Sequence, residues 1–228
     1  MDNVKFIPFE YFTGERNMSI DEQILNESIE CNLKGPVFRL YGWKPACISL
    51  GRNQKGDFLD RTVLSTNNID VVTRLTGGRA LLHDCEITYS FVCPQSYLKH
   101  GESVVASYKE ISEILIKAFE NLGVKLTLGG DSVHTKFDYC MLVSTGADLN
   151  YNGRKLVGSA QCRKKGYILQ HGSIPYDLDL GLLEKIFKEK VDATSVVTLK
   201  EIFPEYTIER FCKEFQTSVK KVLSVQES

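Results

Sequence analysis

Residues 147–174, ADLNYNGRKLVGSAQCRKKGYILQHGSI, narrow what this chain can fold into more than any other stretch. Three runs of strand character follow one another there: ADLNY, KLVGSAQCR and YILQHGSI. Asn152-Gly153 joins the first two, and that dipeptide accepts the positive φ angles of a two-residue hairpin turn. Strands joined so tightly run antiparallel, because a parallel pair needs a long crossover. Further strands are expected at PVFRLYGW and ACISLG around the Lys44-Pro45 turn, at IDVVT, at EITYSFVCP up to Pro94, and at the short VKLTL. Helices are expected at MSIDEQILNESIE, with Ser19 as cap, briefly near KGDFLDRTVLST, and at VASYKEISEILIKAFENLG, whose apolar residues recur every three or four positions up to Gly123. Residues 129–139 form an irregular loop ending at Cys140, and the chain from Leu178 onward is helical with a break around FPEYT. Strands and helices mix without βαβ alternation. The expected class is therefore α+β, a mixed and largely antiparallel sheet with helices packed on it.

A chain of 228 residues supports one domain, taken here as 1–228, with a substantial core. Its net charge of −1 gives no general attraction to nucleic acid, so any basic surface must be local. The N-terminal MDNVKFIPFEYF lacks a basic region and a long apolar run, and no apolar stretch is long enough to span a bilayer. A cytoplasmic protein with neither nucleic-acid nor membrane partners is expected. Its seven cysteines are an odd, scattered set without a C-x-x-C pair, which points to free thiols and to neither a disulfide framework nor a zinc site.

After IDVVT the chain reads RLTGGRALLHD, so Gly77 and Gly78 fall where a strand turns. Glycines there serve a tight turn or the close approach of a ligand to backbone, and both readings stand. Lys155 lies on a strand beside Gly158, Ser159 and Ala160, whose small side chains leave room for a ligand. A strand lysine is more often simply solvated, and a lone free cysteine such as Cys140 is more often a small buried hydrophobe.

RLTGGRALLHDCEITYSFV and GRKLVGSAQCRKKGYILQHGSI, with RLYGWKPACISLGRNQ upstream, closely resemble the superfamily of lipoate-protein ligases, biotin-protein ligases and octanoyltransferases, over about residues 18 to 180. The resemblance implies the class II aminoacyl-tRNA synthetase-like catalytic domain. It also implies that the glycine loop runs along the acyl chain of an activated acid. Ligases of this group generally read Gly-Gly-Gly and then His-Asp-x-Gly-Asn. The form Thr76-Gly77-Gly78-Arg79, followed by His83-Asp84-Cys85-Glu86, is similar to the cysteine-dependent octanoyltransferases of the Gram-positive type, which keep a cysteine before the lysine segment. Cys140 stands there. The chain departs from the family pattern at Thr73, where a first arginine is common, and around Cys140, where Phe137-Asp138-Tyr139-Cys140-Met141 matches only loosely.

The resemblance implies transfer of octanoate from octanoyl-acyl carrier protein, through a Cys140 thioester, to a lysine of a lipoyl domain, such as glycine cleavage H protein or the E2 of a 2-oxoacid dehydrogenase. Cys140 and Lys155 are the implied catalytic pair. A thiolate forms a second thioester without an energy source, and an adjacent ammonium lowers a thiol's pKa. Arg74, Thr76, Gly77, Gly78, Arg79, His83, Gly158, Ser159, Ala160, His171 and Gly172 are the implied substrate contacts. Of these, His83 and His171 are expected to line or order the site rather than to catalyse. No cofactor is required on this route. An ATP- and Mg²⁺-dependent lipoate ligase is the alternative, although the helical tail offers no accessory domain of the ligase kind, and an amidotransferase between lipoyl domains is another. A catalytically dead module that only captures lipoyl domains or acyl chains stands outside the enzyme class. Arg163, Lys164 and Lys165 form a solvated turn by default, and with Arg154 and Lys155 they offer a local positive surface to an acidic partner.

Overall fold

A computed structural model describes residues 4–129, 148–188, 190 and 192–226. The loop expected over 129–139 lies, Gly129 apart, outside the described residues, as does Cys140. The larger sheet has seven strands in the order β1 (Lys5–Phe12), β2 (Val37–Trp43), β6 (Glu86–Pro94), β10 (Tyr167–Pro175), β9 (Arg154–Lys164), β8 (Leu149–Tyr151), β7 (Thr127–Leu128). Every pairing in it is antiparallel except that of β1 with β2. A second sheet places β3 (Cys47–Leu50) between a parallel β4 (Asp70–Thr73) and an antiparallel β5 (Leu81–His83). The α+β class and the mixed, mostly antiparallel sheet are as expected, and the Asn152-Gly153 hairpin forms with positive φ at both residues.

The larger sheet divides two chemically different layers. On one side Phe38, Leu40, Ile87, Phe91, Ile168 and Ile174 meet α3 (Val104–Glu120) and α6 (Ile208–Gln226) in one dry core. α3 is capped by Ser103 and buries Ile111, Ile114, Leu115 and Phe119 at helical spacing. Phe119 packs on Phe211 and Phe215 of α6, with ring centroids 5.8 and 4.8 Å away. On the other side, paired positions of β2, β6 and β10 carry Arg39, Ser90 and His171 in one row and Tyr41, Thr88 and Ser173 in the next. α1 (Gly14–Glu30) covers this polar face. On the smaller sheet pack α2 (Arg61–Thr66) and α4 (Leu180–Phe187), around Ile48, Leu64 and Leu81, while α5 (Leu199–Ile202) precedes α6.

Three local expectations change. The first helix starts at Gly14 with Thr13 as cap, so Ser19 is interior. The early turns hide from a hydrophobic pattern because their buried members, Asn17 and Asp21, are polar. Lys5–Phe12 is a strand that the sequence did not announce, since as an edge strand it is half exposed and is interrupted by Pro8 and an irregular register. Of VKLTL only Thr127–Leu128 pairs. No helix among the described residues is long and apolar enough to cross a membrane.

Candidate active site

The glycine loop connects β4 to β5, and one side chain holds it. Arg74 is buried, and its guanidinium donates from Nε to Thr76 Oγ1 at 3.1 Å, from Nη1 to the Ser49 carbonyl at 2.9 Å and Oγ at 3.2 Å, and from Nη2 to the carbonyls of Gly77 and Arg79, both at 2.8 Å. The two glycines serve different ends. Gly78 has φ +95°, and a Cβ on it would meet Arg74 Nη2 at 2.9 Å, so the turn itself requires glycine. A Cβ on Gly77 meets nothing within 4 Å among the described residues, so there the fold leaves open space.

Lys155 is aimed by a defect in the hairpin. Leu149 pairs with Val157 but Asn150 pairs with Lys155, so Leu156 is one residue too many. This bulge sends Leu156 and Val157 together into the core and turns Lys155 to the face of Gly158 and Ala160. Lys155 is 2% exposed and its Nζ lies 2.9 Å from Asp148 Oδ2, itself equally buried. Asp148 went unremarked in the sequence because its meaning depends on that bulge.

Beside the loop lies a cavity of about 400 Å³, part of it open to solvent. Its wall includes Arg74, Arg79, His83, Gly158, Ser159, Ala160, His171 and Gly172, eight of the expected site residues drawn from β5, β9, β10 and the loop. Thr76, Gly77, Gly78 and Lys155 are not part of that wall; the first three build the loop, and Lys155 sits further along β9. Sequence reading missed Met18, Tyr41, Trp43 and Leu81, which give the cavity its apolar surface, and Ser49, Thr88 and Ser173. The hydrophobic runs containing Trp43 and Leu81 were visible, but the face each residue takes was not. Gly172 is required by packing, since a Cβ would lie 2.6 Å from the Tyr89 ring and 2.7 Å from the Gly158 carbonyl. Burial pushes the Tyr89 phenol up to about 12, and it hydrogen-bonds Ser159 Oγ at 2.8 Å.

Both histidines are held from behind by carboxylates. His171 Nδ1 lies 3.1 Å from Asp21 Oδ2, and Nε2 2.7 Å from Thr76 Oγ1. Burial alone would raise the Asp21 carboxyl, but the hydrogen bond with His171, then Arg39 and Tyr41, hold it below the ordinary value. His83 stacks on Trp43 with centroids 3.9 Å apart, places Nε2 2.7 Å from Ser49 Oγ, and bonds through Nδ1 to Glu86 Oε1 at 2.8 Å. The adjacent Asp84 is not that partner; it borders a separate notch with Asp177 and Asp179, and burial raises its carboxyl.

Among the described thiols, burial pushes Cys47 and Cys93 up to about 12 and Cys162 to about 11, and raises Cys85 and Cys212 as well. These five are thiols at neutral pH and poor nucleophiles. Lys164 and Lys165 sit exposed on the turn, as the default reading has it, but the wider basic surface with Arg154, Lys155 and Arg163 is reduced. Arg154 pairs with Glu201 at 2.7 Å, Lys155 is buried, and Arg163 donates to the carbonyls of Gly101, Glu102 and Ser103. Cations close to carboxylates and carbonyls satisfy the fold before they can serve a partner.

A family model, the lipoyl protein ligase A/B catalytic domain, matches residues 13–220. The chain belongs to this family. Within the lipoyl protein ligase A/B family it resembles an octanoyltransferase LipM of Exiguobacterium sp., 36% identical over 92% of this chain and 82% of the relative. It also resembles one of Carboxydothermus hydrogenoformans, at 37% over 83% and 71%, and one of Brevibacillus brevis, at 33% over 98% and 90%. A T. acidophilum lipoate protein ligase with bound lipoic acid shares the family fold, with a TM-score of 0.73 at 19% identity over 97% of this chain and 85% of that one. A lipoate-protein ligase A bound with ATP does so at 0.74, with the same identity and coverage.

Proposed function

We propose that this protein moves an octanoyl group from a carrier-protein thioester to a lysine of a lipoyl domain, in the cytoplasm, through a thioester on Cys140. The observation that carries the reading is the family of curated octanoyltransferases LipM, similar to this chain over most of its length. The site supplies fitting chemistry. The apolar surface of Met18, Tyr41, Trp43 and Leu81 accepts an alkyl chain, each buried CH₂ contributing roughly 0.8 kcal/mol. With no described residue within 4 Å of a Cβ built on Gly77, the acyl carbonyl has room to approach the backbone there.

In the first step Cys140 Sγ attacks the carbonyl carbon, the bond to the carrier sulfur breaks, and the carrier leaves as a thiol with the cysteine's proton. In the second the acceptor lysine's amine attacks, the bond to Cys140 Sγ breaks, and the amine's proton returns to the thiolate. Lys155, held by Asp148, stabilises the thiolate and relays these protons, and with the Gly77-Gly78 backbone it stabilises each oxyanion. One thioester becomes another and then an amide, so this route uses no ATP, Mg²⁺ or other cofactor.

The test is the intact mass of the protein after mixing with octanoyl-acyl carrier protein without ATP, beside Cys140→Ser. A gain of one octanoyl group, absent from the variant, is the expected result. No adduct, with an apo lipoyl domain modified only when ATP and free acid are supplied, would make the chain a ligase. A Cys140→Ser variant that still acquires the group and passes it on would move the nucleophile elsewhere.

A further inference from the structure

We propose that Ser49, Glu86 and Asp21, with His83 and His171, are positioning residues for the glycine loop, coupled into one device through Arg74. Two buried relays of the same chemistry converge on that guanidinium. In the first, Arg74 Nη1 donates to Ser49 Oγ at 3.2 Å, Ser49 Oγ lies 2.7 Å from His83 Nε2, and His83 Nδ1 lies 2.8 Å from Glu86 Oε1. In the second, Arg74 Nε donates to Thr76 Oγ1 at 3.1 Å, Thr76 Oγ1 lies 2.7 Å from His171 Nε2, and His171 Nδ1 lies 3.1 Å from Asp21 Oδ2. Each runs guanidinium, hydroxyl, imidazole, carboxylate.

The proton inventory follows from the donors at each end. A carboxylate only accepts, so each imidazole keeps a proton on Nδ1. With each imidazole neutral, each hydroxyl oxygen accepts from Arg74 and donates its own proton to the bare Nε2. The carboxylates are pinned in turn. Ser173 and Thr88 donate to Glu86, and Trp43 Nε1 donates to Thr88 Oγ1 at 2.8 Å. Arg39 and Tyr41 donate to Asp21, at 3.1 and 2.9 Å, and Arg39 is itself bonded to Asn17. Ser49, Thr76, Glu86 and Asp21 are all at most 3% exposed, so an unmade bond here would find no water to replace it.

From Nη2, Arg74 also donates to the carbonyls of Gly77 and Arg79, and these bonds set the path of the loop. β2, β3, β6, β10 and α1 thereby all report to that path. Cutting one relay loosens the guanidinium and so weakens the other, although Ser49 and Thr76 lie on different segments, because Arg74 bonds to both hydroxyls.

The variants are Ser49→Ala, Thr76→Val, their double, and Thr76→Ser, which keeps the hydroxyl. Nitrogen-15 NMR of the whole protein should show both histidines with Nδ1 protonated and Nε2 bare. Ser49→Ala should shift the ring nitrogens of His171, in the uncut relay, and speed solvent exchange of the Arg74 Nε–H by about fivefold, the scale of one lost hydrogen bond. Thr76→Val should shift those of His83, Thr76→Ser should shift neither, and the amide resonances of α3 and α6 should stay in place. An Nε2-protonated histidine, shifts confined to the relay that was cut, or disturbance spread equally to α3 and α6 would each overturn the proposal. The activity arm rests on the octanoyltransferase reading: each single variant should lower kcat about tenfold with KM for the octanoyl donor unchanged, and the double by more than the product. The NMR arm does not use that reaction, so failure of the coupling and failure of the assigned function are told apart.

Discussion

Removing the Lys155 ammonium leaves Asp148 as a charge shut away from water. Both members of the pair are 2% exposed, so their desolvation has already been incurred and either alone is costly. Lys155→Met should therefore lose about 3–5 kcal/mol of stability in denaturant titration, and adding Asp148→Asn should recover most of it. Transfer activity should stay absent in both, which separates the lysine's chemical role from its structural one. Asp21 adds a pH dependence. Its folded pKa lies below the ordinary aspartate value of about 3.9, so the unfolded chain takes up its proton first as acid is added. The stability it contributes is fully present above about pH 4 and is lost as pH falls through the folded value. Asp21→Asn should flatten that part of the acid limb in thermal melts from pH 6 to pH 2, where a limb as steep as that of the unaltered chain would show that Asp21 does not supply it. At this scale the sequence showed which side chains could act but not their partners. The order His83-Asp84-Cys85-Glu86 does not say which carboxylate His83 meets, and the fold gives it Glu86. A pattern of neighbours does not say which carboxylate shares a face.

At the scale of the element, three glycines around one loop should separate by mechanism. Gly51→Ala places a Cβ 1.9 Å from the Gly78 carbonyl, a backbone atom that cannot swing aside, so β3 and the loop must part and the melting temperature should fall sharply. Gly78→Ala combines φ +95° with a contact at 2.9 Å to Arg74, and should cost about 1–3 kcal/mol. Gly77→Ala meets nothing within 4 Å among the described residues, so its melting temperature should be unchanged while transfer slows at least tenfold. Full activity in Gly77→Ala would mean the acyl carbonyl does not approach there. The two readings of the glycine pair left open by the sequence thus divide between its members, Gly78 serving the turn and Gly77 meeting no described neighbour. Elements were legible wherever their local signal was complete: β6 from alternation up to Pro94, α3 from its period, though it ends at Glu120 rather than at Gly123, and the hairpin from Asn152-Gly153. β1 was not, because its pairing with β2 supplies what its own sequence lacks.

For the whole molecule, the last helix is the sharpest test of how the layers depend on one another. α6 brings Phe211, Phe215, Val219 and Leu223 into the same core as Phe38, Phe91 and Phe119. A chain ending before Ile208 would leave that face of α3 and the sheet bare, and should show no cooperative melting transition by circular dichroism. Phe215→Ala, which removes one ring from the stack, should instead melt cooperatively with a loss of about 3–5 kcal/mol. The sequence alone determined the class, since tight turns between strand runs compel antiparallel neighbours, and it determined the family, since the glycine-loop and lysine segments resemble a known group in order. It also named most of the cavity wall. Only the tertiary structure decided that Leu156 bulges and so turns Lys155 toward Asp148, and that Arg154 and Arg163 are spent on carboxylate and carbonyls. It alone joined Asp21 and Glu86 to histidines 150 and 3 positions away. The physical reason is range. Turn chemistry and periodicity act between residues a few positions apart, whereas a buried charge is satisfied by whatever the packed elements bring within hydrogen-bond distance.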